Sequence, residues 1–267
     1  MKTIFELIDL KGRCAVITGA TGYLGRTFCH TLAELNCNIV IVDINPDKCK
    51  EFATEISSKY GVDSLALDCY LSIESNVAAI PEKVQKHFGR MDILINNAAY
   101  VGTSGLQGWA TSFDKQSTST WRQALEVNLT AVFTLCRESV PLLKNSGNGS
   151  IINIASIYGL LGPDWGLYDG TEMGNPAAYA ASKGGLIQFT RWLSTTCAPG
   201  IRANSICPGG IFRNQDKVFL ERYISKTPLR RMAIEEDFKG IIAYLSSDMS
   251  RYVSGQNFII DGGFSAW

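Results

Sequence analysis

Only two histidines, His30 and His87, occur in 267 residues, and none of the eight cysteines belongs to a C-x-x-C pair. A zinc site or a histidine triad would have to be assembled from very few parts, so no metal and no histidine chemistry is expected. His87 lies in the charged stretch 82–90, which reads as a solvated helix face, and His30 falls inside a helical pattern. The scattered Cys14, Cys29, Cys37, Cys49, Cys69, Cys136, Cys197 and Cys207 suit buried thiols in a reduced compartment better than a disulfide framework. Charge of one sign is also missing. The 25 Lys+Arg offset 25 Asp+Glu, and 19% of residues are charged. Nucleic-acid binding would leave a basic footprint, and disorder would need a more polar chain than one with 46% hydrophobic residues.

Long apolar runs are absent as well. The uncharged stretches 93–113 and 145–163 are broken by Asn, Gly, Ser and Pro, so no membrane span is expected. The N-terminal MKTIFELIDLKG places Glu6 and Asp9 where a signal peptide needs unbroken apolar residues, which argues for a cytoplasmic protein.

What is present is an alternation of short β-rich runs with longer helical patterns. Strands are predicted at 13–18, 38–43, 64–68, 92–96, 150–155, 202–207 and 257–260, and helices at 23–36, 46–60, 74–88, 118–145, 176–197 and 235–247. This order calls for an α/β fold of the Rossmann type: a doubly wound, parallel, seven-stranded sheet with helices on both faces. Apolar runs such as CAVIT and NIVIVD suit strands buried on both sides. No repeat or linker divides the chain, so 1–267 is expected to form a single domain. Two irregular stretches, 99–117 and 158–176, follow strand C-termini, where open α/β sheets bind ligands. Trp109, Trp165, Tyr168 and Met173 within them argue for packed loops rather than disorder.

After the first strand, Thr18-Gly19-Ala20-Thr21-Gly22-Tyr23-Leu24-Gly25 opens directly into a helix. Glycines there permit a tight turn, close approach of a pyrophosphate and close helix packing, while the helix N-terminus supplies free N–H groups. Asp43 closes the second strand, where an acid hydrogen-bonds the adenosine ribose and repels a 2′-phosphate. With uncharged Ile44 next to it, Asp43 predicts NAD over NADP; a cap for the following helix is its alternative role. Farther on, Tyr179 and Lys183 stand four apart at a predicted helix start, on one face. Lowering a tyrosine pKa by about 3 units takes about 4 kcal/mol, which a nearby ammonium and an oxidised nicotinamide could supply together.

With these motifs the sequence resembles the short-chain dehydrogenase/reductase family, in its compact branch, over nearly its whole length. The matching segments are the turn 18–25, Asp68, Asn96-Asn97-Ala98, Asn128 in EVNL, Ser156 in INIAS, Tyr179 with Lys183, Pro208-Gly209, and Asp261-Gly262-Gly263. The resemblance implies that Tyr179 is the general acid/base, that Ser156 holds the substrate oxygen, and that Lys183 binds the nicotinamide ribose and depresses the Tyr179 pKa. Asn128 would position a water that links Lys183 to solvent. Gly19, Thr21, Gly22, Tyr23, Leu24 and Gly25 would cradle the cofactor. Asp68 would meet the adenine, Asn96 and Ala98 would line the adenosine and ribose, and Ile211 would reach the carboxamide, with Cys69, Pro208 and Gly209 also at the cofactor. The resemblance also implies a homotetramer, or a homodimer, with 118–145, 176–197 and 258–267 at subunit contacts.

Three departures from the family pattern stand out. The middle glycine of the turn has moved from position 23 to Gly22, the form of the extended epimerase and dehydratase branch; with 84 residues after Lys183, the compact branch is still expected. Ala99 stands where the family usually has Gly. Arg213 stands where it often has a cofactor-touching Thr, and could bind the pyrophosphate, bind an anionic substrate group, or be a plain surface residue.

The stretch from Ser156 to Tyr179 carries Asp164, Trp165, Tyr168, Asp169, Thr171, Glu172 and Met173, a mixture suited to a polyhydroxylated ligand. The stretch 158–183, with Tyr168-Asp169-Gly170-Thr171 and Pro176-x-x-Tyr179, is similar to a subgroup encoded with bacterial surface-glycan genes, including flagellin-modification oxidoreductases. A sugar or nucleotide sugar is therefore the expected substrate. The alternatives are an epimerase or dehydratase with tightly bound NAD, and a non-enzymatic NAD-binding regulator.

Overall fold

The computed structural model describes residues 1–102 and 104–267; Thr103, within the loop 99–117, lies outside the described residues. The first half runs α1 (Ile4–Ile8), β1 (Cys14–Thr18), α2 (Tyr23–Glu34), β2 (Asn38–Asp43), α3 (Pro46–Tyr60), β3 (Ser64–Asp68), α4 (Glu74–Ala78), α5 (Ile80–Phe88) and β4 (Ile93–Asn96). The second half runs α6 (Thr118–Leu125), a π turn (Glu126–Thr130), α7 (Ala131–Asn145), β5 (Gly149–Ile154), α8 (Ala177–Thr196), β6 (Ile201–Pro208), α9 (Lys217–Lys226), α10 (Lys239–Ser246) and β7 (Asn257–Ile260). The seven strands form one sheet in the order β3-β2-β1-β4-β5-β6-β7, every pair parallel.

Alternation along the buried strands builds a core on each face of the sheet. Ala15, Ile17, Ile39 and Ile41 point to one side and pack with Phe28 and Leu32 of α2, Phe52 and Ile56 of α3, and Ile242 of α10. Cys14, Val16, Val40 and Val42 point to the other, against Val84 of α5, Leu135 of α7 and Leu186 of α8. Each fully buried Val, Ile, Leu or Phe among them contributes about 1.5–3 kcal/mol. All eight cysteines are free and buried, as their scatter suggested.

The seven predicted strands are all present, with ends within a residue of those expected. The helices differ more. The stretch 74–88 is two helices that meet at Ala79, because Pro81 has no N–H to continue α4 and instead starts α5. The stretch 118–145 is interrupted by the π turn. Two helices, α1 and α9, were not expected; α9 is capped by Asp216, which accepts from the N–H groups of Val218 and Phe219. No helix among the described residues is long and apolar enough to cross a membrane.

The strand order reverses between β1 and β4, and this crevice at the strand C-termini is where ligands of open α/β sheets sit.

Candidate active site

The turn after β1 is built by close backbone contacts. Gly19 has φ +63°, and a Cβ there would lie 2.9 Å from the Ala98 Cα; one on Gly25 would lie 2.0 Å from the Gly19 carbonyl oxygen. Any other residue at either place would push the turn open. Gly22 caps α2 with no side chain of its own, which leaves the first N–H groups of the helix facing outward. Asn97 clamps the turn from β4. Its Nδ2 donates to the carbonyls of Thr18 (3.0 Å) and Gly19 (3.1 Å), and the Thr18 hydroxyl accepts from the N–H groups of Asn97 and Ala98. Asn97 lay inside a recognised motif, but nothing in its spacing said that it would fasten the phosphate turn.

Asp43 sits at the rim of the same turn. Its Oδ2 accepts from the N–H (2.9 Å) and hydroxyl (2.8 Å) of Thr21, and its Oδ1 from Ile44 N–H. The alternative role, capping the next helix, falls to Asn45, which accepts from Lys48 N–H. Asp68 is paired in register with Asp43 and is exposed, so two carboxylates stand side by side at the strand ends. The Cys69 thiol is buried, which pushes it up to about 11; its N–H bonds to Asp43. Asn96 departs from the expectation that it lines the adenosine: its side chain turns inward and donates to Asn153 (2.8 Å), which in turn donates to Thr190 (2.8 Å).

Ser156, Tyr179 and Lys183 come together at the C-terminal end of β5. A short turn at Ile157–Gly159 carries the chain against α8; a Cβ on Gly159 would lie 2.7 Å from the Lys183 carbonyl carbon, so glycine permits this approach. Ser156 stands beside the Tyr179 hydroxyl, near enough to favour its ionised form, while its Oγ accepts from Tyr158 N–H. Lys183 is 3% exposed; its Nζ donates to the Ile154 carbonyl at 2.6 Å and lies 5.7 Å from the Tyr179 ring centroid. Burial raises the Tyr179 phenol above its ordinary range, with Ser156 working against that rise. Burial lowers Lys183 from 10.5 to about 8.

Asn128 is buried within the π turn, a rare helical form that clusters at functional sites. Its side chain brackets Tyr100, accepting from the N–H (2.7 Å) and donating to the carbonyl (3.2 Å), and also donates to Ser182 Oγ. Both amide donors are thus engaged in structure, and the Oδ1 keeps one lone pair.

Beyond β6, Gly209 N–H donates to Ile260, Gly210 N–H to the Tyr223 hydroxyl, and Ile211 bridges to Ala233. Arg213 is not a plain surface residue. Its Nη1 lies 2.8 Å from Glu235, and its guanidinium carbon lies 4.2 Å from the centre of the Tyr23 ring, joining this loop to the Gly-rich turn.

The two irregular stretches are packed, as their aromatics suggested. Trp109 is buried and donates to the Val101 carbonyl, and the Tyr168 and Tyr158 hydroxyls bond at 2.6 Å. Asn175 stands beside both tyrosines, and its Oδ1 is buried with no partner among the described residues. Between the stretches lies a cavity of about 690 Å³, lined by Ser112, Trp165, Tyr168, Asp169, Thr171 and Glu172 among others. Asp164 is not free for a ligand: it pairs with Lys226 of α9 and accepts from Gly166 N–H. The histidines lie outside the site, His30 against Tyr60 and Glu55, His87 against Asp63.

A doubly wound sheet, a glycine-built phosphate turn at its switch point and a Ser–Tyr–Lys cluster one strand away define a nicotinamide-dependent oxidoreductase. A family model described as enoyl-(acyl carrier protein) reductase matches residues 19–265. Trans-4-hydroxycyclohexanecarboxylate dehydrogenase of Sinomonas cyclohexanicum is 33% identical, over 95% of this chain and 93% of that protein. Among solved structures, NADPH-dependent 3-quinuclidinone reductase from Rhodotorula rubra aligns with TM-score 0.89 and 26% identity, covering 100% of this chain and 96% of that one. Gluconate 5-dehydrogenase from Burkholderia cenocepacia, in complex with NADP and tartrate, aligns with TM-score 0.88 and 26% identity, covering 99% and 100%. The chain belongs to the short-chain dehydrogenase/reductase family and is an NAD(P)-dependent dehydrogenase/reductase.

Proposed function

We propose that the protein is a cytoplasmic, NAD-dependent oxidoreductase that interconverts a secondary alcohol and a ketone on a sugar or nucleotide sugar, in bacterial surface-glycan synthesis of the flagellin-modification kind. The reaction rests on one observation above all: Ser156 and Lys183 flank the hydroxyl and ring of Tyr179 at the C-terminal end of β5, on the same edge of the sheet as the phosphate turn and separated from β1 by β4. The turn fits a dinucleotide because Gly19 and Gly25, where a Cβ would clash with Ala98 and with the Gly19 carbonyl, let the backbone fold tightly at the N-terminus of α2. The side-by-side Asp43 and Asp68 favour a ribose diol over a 2′-phosphate. NADP and NADPH are named for the two structural relatives, not for this chain.

Bound nicotinamide supplies or accepts the hydride. In ketone reduction, Ser156 holds the carbonyl oxygen and Tyr179 gives its proton to that oxygen as negative charge develops there. With a pKa of about 8, Lys183 is mostly protonated at neutral pH, so its ammonium stabilises the phenolate left behind. In alcohol oxidation the same proton returns to Tyr179.

For the substrate, the cavity carries Asp169 and Glu172 as acceptors, Thr171 and Ser112 as hydroxyls, and Trp165 as a ring for an apolar sugar face. A fatty acyl chain would find these groups unfavourable.

The test is NADH oxidation with a panel of keto-sugars and activated sugars beside steroid and acyl ketones. Turnover with sugars is expected; reduction of the acyl or steroid ketones alone would overturn the substrate reading, and a clear NADPH preference would overturn the cofactor reading. Purified protein that holds stoichiometric NAD and shows no net redox turnover would point instead to an epimerase or dehydratase.

A further inference from the structure

We propose that Arg213 and Tyr23 form a clasp over the pyrophosphate of the dinucleotide, making Arg213 a residue that binds cofactor and not substrate; this deepens, and rests on, the dinucleotide reading of the Gly-rich turn. The two residues mark two of the places where this chain departs from its family pattern. They are far apart in sequence, yet the Arg213 guanidinium lies over the Tyr23 ring at 4.2 Å. Tyr23 is the first residue of α2, directly after the cap Gly22, so the contact carries the guanidinium to the rim of the phosphate turn.

The base of the clasp is rigid. Phe212 N–H donates to Ala233 (2.9 Å), Ala233 N–H donates to Gly210 (2.9 Å), and Arg213 Nη1 is held by Glu235 (2.8 Å) and the Phe212 carbonyl (2.6 Å). Arg213 Nε and Nη2 have no hydrogen-bond partner among the described residues. Two free donors in a planar fork match the oxygens of a phosphate. A cation beside a helix N-terminus is opposed by the helix dipole, and a phosphate between them would satisfy both. The cavity between the substrate loops is lined by other residues, Asp169 and Glu172 among them, and Arg213 is not part of it. The clasp therefore joins the β1–α2 turn to the loop after β6 across the cofactor, and cofactor release must part it.

Calorimetric titration of ADP, adenosine and NADH into the wild type, Arg213→Gln, Arg213→Lys and Tyr23→Ala tests this, with circular dichroism to verify folding. Arg213→Gln should weaken ADP and NADH about ten- to hundredfold, leave adenosine unchanged, and speed NADH release in stopped flow. Arg213→Lys, which keeps the charge without the fork, should recover part of the loss, and Tyr23→Ala should fall between; if the Gln variant does not fold, the Lys variant carries the comparison. Equal losses for adenosine and ADP, or no loss for ADP beside a raised KM for an anionic substrate, would overturn the clasp. A wild type that binds neither ADP nor NADH would instead overturn the dinucleotide reading itself.

Discussion

Tyr179 and Lys183 are opposed by their own surroundings: burial raises the phenol and lowers the ammonium, so each is held closer to its neutral form than water would allow. Turning that arrangement into catalysis takes the Ser156 hydroxyl and the charge of a bound nicotinamide. Tyr179→Phe removes the proton donor and keeps the ring, so turnover should fall at least about 10²-fold while NADH binding, read by fluorescence, stays within about twofold. Full turnover in that variant would remove Tyr179 from the mechanism. A regulator without catalysis would show no turnover even in the wild type. Lys183 also leaves a mark on stability. Below pH 8 both folded and unfolded chains hold its proton, and the penalty for the buried ammonium is fully present. Between about 8 and 10.5 the unfolded chain keeps a proton that the folded one has released, so stability rises with pH, by about 3 kcal/mol in all. Urea unfolding from pH 7 to 10.5 should show wild type gaining on Lys183→Met across that window; parallel curves would mean the ammonium is better solvated than its burial implies.

At the level of elements, the stretch 158–176 is tied to α9. Lys226 pairs with Asp164, and Arg222 donates to the Asp169 carbonyl, next to the side chains that line the cavity. An exposed ion pair of this kind stabilises a fold by about 0–1 kcal/mol, so its effect should be local. Asp164→Asn should leave the melting temperature within about 2 °C of wild type and raise substrate KM severalfold with kcat nearly unchanged. A fall in kcat with KM unchanged would contradict a positioning role. Helix α9 went unread because KVFLERYISK mixes charge and apolar residues in too short a span; Phe219 and Tyr223 are buried only because Tyr168 and Met232 pack against them. The π turn was equally hidden, since EVNL reads as ordinary helix and the Asn128 contact with Tyr100 joins residues 28 apart in the chain.

For the whole molecule, the outer faces of α7 and α8 carry Phe133, Phe189 and Trp192, with Phe189 and Trp192 stacked at 6.1 Å and Trp192 55% exposed. Exposed aromatics in one patch mark an interaction surface, and a second copy of the chain is the partner the family resemblance implies. If a second copy covers this patch, Trp192→Glu should lower the molecular mass read by light scattering while preserving the circular dichroism spectrum. A wild type already monomeric at micromolar concentration would contradict the assembly.

The order of the strands, and the placing of Gly19, Asp43, Ser156 and Tyr179 at strand ends and helix starts, could be read from the chain alone because strand period, helix spacing and turn glycine are local constraints. Tertiary structure decided what the free side chains do. It turned Asn96 inward to Asn153, engaged the Asn128 amide with Tyr100 and paired Asp164 with Lys226. It also placed Arg213 on Tyr23. Those pairings join residues from separate strand–helix units, and a hydrogen bond or ion pair needs a distance of a few ångströms that only the packing of the whole sheet sets.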